Sequence, residues 1–74
     1  MRSFTINEQA LITVSQTMIR VWHGNDWSAL TRLDVWDACA RCADIFQFLT
    51  EAEKTGTIWV AADELCNRMD VTKR

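Results

Sequence analysis

The side chains with the most chemical capacity are three cysteines and a single histidine. Cys39-Ala40-Arg41-Cys42 is a C-x-x-C, and Cys66 with His23 completes a set of four soft donors. A redox dithiol needs this motif at the start of a helix that follows a strand, where the macrodipole lowers a thiol pKa. Here the surrounding pattern predicts mid-helix, with Cys39 on the apolar line of Val35, Phe46 and Leu49. The donor spacing matches no common structural zinc arrangement. The cysteines therefore read as small core residues, with no metal and no cofactor expected. A thiol or zinc protein using Cys39 and Cys42 stands as an alternative. His23 precedes Gly24, where an imidazole complements the C-terminal end of a helix. No nucleophile elbow and no glycine-rich phosphate cradle is present in the sequence, so no catalytic residue is assigned and no enzyme is expected.

One segment, Ala62-Asp63-Glu64-Leu65-Cys66-Asn67-Arg68-Met69-Asp70-Val71-Thr72, resembles the opening of a helix-turn-helix. Asp70 stands where that turn usually carries glycine, and only Lys73 and Arg74 follow, too few for a recognition helix. A DNA-associated regulator built on this segment is a second alternative. Charge argues against direct nucleic-acid binding. Eight Lys/Arg against ten Asp/Glu give a formal charge of −2, whereas phosphate binding needs a basic face.

These residues must be positioned by helices. There is no proline or tyrosine, only two glycines, and 49% of the 74 residues are hydrophobic, which disfavours disorder and turn-rich β architectures. The expected fold is all-α, with three helices over about 6–23, 30–54 and 59–69 and a frayed 70–74. The first two form a long antiparallel hairpin and the third is a short addition. Thr5-Ile6-Asn7-Glu8 and Thr31-Arg32-Leu33-Asp34 have capping-box spacing, while Gly24 and Gly56 are read as stops. On the first helix, Ala10, Leu11, Val14, Met18, Val21 and Trp22 share a face that Ile12 and Ile19 widen. On the second, Asp34, Asp37, Arg41, Asp44, Gln47, Glu51 and Lys54 recur at steps of three and four as one polar stripe.

Both apolar arcs are wider than a helical hairpin hides, and a core of this size rarely supplies more than about 3–5 kcal/mol. Self-association or a partner protein is the expected resolution. Ile12, Ile19, Trp22, Trp36, Ile45 and Leu49 are assigned to the core or a homodimer interface. Trp27, in a polar turn, and Phe48, among charges, are candidate anchors for a partner, with Asp37, Arg41, Asp44 and Glu51 as its charged rim. Asp37, Asp44 and Glu51 would face basic residues that the partner uses for nucleic acid. Trp59 is ambiguous between core and surface. No apolar run approaches the ~18 residues that span a bilayer, and no secretory leader is read at the N-terminus. With three cysteines read as reduced thiols, the expected setting is the cytoplasm. In size, mild acidity and lack of catalytic groups the chain is similar to small phage-encoded inhibitors of host machinery, such as anti-CRISPR proteins. That likeness implies a binder that blocks or modulates a protein partner.

Overall fold

Three threonines decide where the helices begin. The computed structural model describes residues 3–24 and 29–71. It contains α1 (Ile6–His23), α2 (Arg32–Cys42), a single 3-10 turn (Ala43–Ile45) and α3 (Glu51–Arg68), with no strand among the described residues. Thr5, Thr31 and Thr50 have extended backbones and cap α1, α2 and α3. Each accepts from a backbone amide three residues on, and that residue's carboxylate accepts from the threonine amide in return. The pairs are 3.1 and 2.8 Å at Thr5/Glu8, 3.2 and 3.0 Å at Thr31/Asp34, and 3.2 and 3.0 Å at Thr50/Glu53. Such a cap contributes about 1 kcal/mol.

The third of these boxes corrects the sequence reading. The expected helix over 30–54 ends at Cys42, and the expected helix over 59–69 instead begins at Glu51. The chain tightens through the 3-10 turn and leaves helical conformation at Phe46, with φ −92° and ψ 63°. The Phe46 ring is buried there, and its amide donates to the Ala43 carbonyl. Gly56 is no stop: it lies inside α3, where a Cβ would meet nothing within 4 Å. The short helix is consequently the middle one, of 11 residues between two of 18.

The packed sides also differ from the expected faces. α1 buries Leu11, Ile12, Ser15 and Ile19, so its inward stripe is rotated toward Ile12 and Ile19 and leaves Val14, Val21 and Trp22 outside. α2 contributes Val35, Ala38, Cys39 and Cys42, and α3 contributes Ile58, Ala61, Ala62, Leu65 and Cys66. Alanines on α2 and α3 let the backbones approach, and each helix packs on both others. The radius of gyration, 11.7 Å, is close to the roughly 11 Å of a compact chain this long, so all three helices share one core. The end of the chain is not frayed through its whole expected length. Asp70 adopts a left-handed φ of 58° in place of a glycine, which turns the backbone and drops Val71 fully into the core.

The strengths of these local devices are measurable by urea denaturation. Thr50→Ala should lower stability by about 1 kcal/mol. Gly56→Ala should raise it by about 0.5–1 kcal/mol, because the site is helical and open. The fully buried Ser15 Oγ has the Cys39 thiol, a weak hydrogen-bond partner, beside it, so Ser15→Ala should be neutral or stabilising by about 1 kcal/mol. The caps also set an acid dependence. Hydrogen bonds from Thr31 and Thr50 hold the Asp34 and Glu53 carboxyls below their ordinary values of 3.8 and 4.5. A carboxyl depressed by folding stabilises above its unfolded pKa and loses that contribution as pH falls through the folded one. Stability should therefore decline as pH falls below about 4.5, less steeply in Glu53→Gln, which has no carboxyl at that position to protonate.

Candidate functional site

The thiols are packing groups. Cys39, Cys42 and Cys66 are free and buried in the core. Burial pushes the Cys39 thiol up to about 11, opposed only in part by the neighbouring Ser15 hydroxyl, and burial likewise raises Cys66. Thiolates are the nucleophilic and metal-binding form, and burial disfavours that form at Cys39 and Cys66. His23 is exposed at the end of α1, and no group of three or more histidine, cysteine, aspartate or glutamate side chains converges to hold a metal among the described residues.

The helix-turn-helix-like segment is engaged in holding the fold. Arg68 Nε donates to Glu64 Oε2 at 2.7 Å, and Nη1 reaches Gln16 Oε1 at 3.4 Å, tying α3 to α1. Leu65, Cys66, Met69 and Val71 are core residues. Lys73 and Arg74 lie outside the described residues, as does Trp27, the proposed anchor in the first turn.

The polar stripe does not survive as one helix face. Asp37 and Arg41 remain on α2, exposed, with Arg41 Nε 3.1 Å from Asp37 Oδ2 and its guanidinium 5.5 Å from the centre of the Trp22 ring. Asp44 is exposed in the 3-10 turn, and Glu51 opens α3, 3.9 Å from Lys54 Nζ. The break at Phe46 separates these two groups. Phe48 is exposed, as an anchor must be, with its ring edge-on to Phe46 at 6.0 Å. Of the residues assigned to the core or dimer interface, Ile12 and Ile19 are fully buried, while Trp36 and Leu49 pack partly against the core. Trp22 and Ile45 are exposed, because α1 is rotated and the second helix has ended before Ile45.

An apolar concavity lies between α2 and α3. Leu33 and Trp36, three apart on α2, face Trp59, Ala62 and Cys66 on α3 around an open groove of about 420 Å³. Trp36 and Trp59 stack at 4.4 Å between ring centres with planes tilted by 56°. Leu33 is 74% exposed and Trp59 is 61% exposed, and Arg32 and Asp63 supply a charge of each sign at the rim. Sequence reasoning left Leu33 out and Trp59 undecided. The missing signal was the Thr50/Glu53 box, which puts Trp59 in the interior of α3 and not at its first turn. An apolar groove with aromatic walls and a sparse charged rim accepts apolar side chains.

The thiol reading is checked with a chromogenic thiol reagent. All three cysteines should be nearly unreactive in the folded protein at neutral pH and fully reactive after denaturation. Rapid native labelling of Cys39 or Cys42 would reopen a redox role. Compared with protein-family models, curated proteins and solved structures, the chain matches none.

Proposed function

We propose that this chain is a small non-enzymatic interaction module that binds a protein partner and blocks or modulates it. The observation that carries this reading is the Trp36–Trp59 pair with exposed Leu33 around the α2–α3 groove. Keeping large apolar and aromatic side chains in water is costly for a chain whose core is small, and such clusters are typical binding anchors. A groove between two helices suits an amphipathic helix or an extended apolar segment of the partner. Exposed Phe48 adds a second aromatic contact, and Asp37, Asp44 and Glu51 supply negative charge. Those charges act on association rate and partner choice more than on affinity. The chain would work by occupying the partner's surface, in the manner of small phage-encoded inhibitors such as anti-CRISPR proteins. Its free, buried thiols suit the reducing cytoplasm. No helix among the described residues is long and apolar enough to cross a membrane.

Affinity capture from a host lysate followed by mass spectrometry tests the proposal, with the wild-type chain compared against Trp59→Ala and Leu33→Ser. A partner retained by wild type should be lost or weakened roughly thirtyfold or more in Trp59→Ala, the size of a hot-spot truncation, with an unchanged circular-dichroism spectrum. Equal capture by both variants would remove the groove from the interface. Reversal of charge at Asp37, Asp44 and Glu51 should slow association and leave dissociation nearly unchanged.

A further inference from the structure

The outward side of α1 is as apolar as the groove and shares none of its residues. Ile6, Ala10, Val14, Thr17 and Val21 follow one another at steps of four, four, three and four, the spacing of a helix–helix seam. Ile6, Val14 and Val21 are exposed. Two shallow apolar grooves, one from Phe4 to Val14 and one from Thr13 to Val21, meet at Thr13 and Val14 and form a strip along the helix. We infer that this strip is the seam of an antiparallel homodimer, occupied by the α1 of a second copy of the chain.

Charge and symmetry select that occupant. No residue from Gln9 to Ile19 is charged, so a copy meets no like charge over the central three turns. Glu8 is committed to the Thr5 cap, and the charges nearest the other end are Arg20 and His23. A parallel copy would set Arg20 beside Arg20 and align two helix dipoles. An antiparallel copy sets Arg20 beside Asn7 and Glu8, where no like charge stands, and opposes the dipoles. The seam also suits a two-fold axis, which requires one patch to complement itself. Val14 lies near its centre, with the β-branched Ile6 and Val21 near opposite ends, so Val14 meets Val14 while Ile6 meets Val21 of the second copy. Ala10, Thr13 and Thr17 are small enough for the close interaxial spacing of packed helices.

The area is consistent with a weak dimer. Eighteen residues of helix extend about 27 Å, and a contact strip of that length covers roughly 400–500 Å² on each copy, near the lower limit for a specific interface. A contact of that size belongs to the weak, transient class of interfaces.

Light scattering after size exclusion, run on the full chain from low to high micromolar concentration, tests the inference. The mass should rise from one chain toward two, and Val14→Arg, which would bury an unpaired charge, should weaken association about a hundredfold with an unchanged circular-dichroism spectrum. Cysteine pairing reads the geometry, because the native thiols are buried. Under mild oxidation Val14→Cys should give a covalent dimer. Ile6→Cys and Val21→Cys should not pair alone but should pair when mixed. A monomer at every concentration, a dimer untouched by Val14→Arg, or Ile6→Cys pairing with itself while Val14→Cys does not would overturn the seam. Because the α2–α3 groove is not used, these outcomes leave partner capture by Trp59 unaffected.

Discussion

The reciprocal hydrogen bonds between Thr50 and Glu53 determine more of this structure than any other local interaction. They supply orphan amides at the start of α3 with partners and so offer the chain a new helix just after Phe46 has left the old one. Without a new start there, a helix running on from α2 would carry Ile58, Leu65 and Cys66 away from α1. With it, α3 reaches its 18 residues, and its buried side closes on α1 and α2 together. The position of Trp59 opposite Trp36 follows from the same start.

Much of the architecture was legible in local sequence signals. The Thr5 and Thr31 boxes and Gly24 mark the beginning and end of α1 and the beginning of α2, and those residues serve as caps in the structure. The segment from Ala43 to Thr55 was misread because two of its patterns agree with continuous helix. Its polar residues keep steps of three and four across the break, and Gly56 offers a convenient stop. Neither pattern registers the energetic preference for burying Phe46 in a turn, which depends on tertiary contacts. The same limit explains α1. Val14 and Ile12 are equally apolar by sequence, and only packing against α2 and α3 selects Ile12 for the interior.

The candidate surfaces were legible as an excess and not as a place. The expectation that α1 and the second helix carry more apolar surface than one small core hides agrees with the exposed Ile6, Val21, Leu33, Ile45 and Phe48. Assigning that excess to particular faces required the rotation of α1 and the true start of α3. The charged residues illustrate the difference. A stripe that looked like one negative rim is in fact two short groups on separate elements, with Arg41 drawn toward Asp37 and Trp22 instead of lining a common face.

The buried pattern along α3 is uneven. Glu51, Ala52, Glu53, Thr55 and Gly56 are exposed, and the first buried residues of the helix are Thr57 and Ile58. The first turn and a half of α3 thus depends on its cap and backbone hydrogen bonds, with a glycine at its inner boundary, whereas the remainder is clamped between two helices. Opening free energies scale with buried contact, so this stretch forms a separate, weaker cooperative unit. Its amides should exchange with solvent sooner, by local unwinding, than those from Ile58 to Leu65. Loosening at this end would carry Phe48 and Glu51 with it and leave the stacked tryptophans in place.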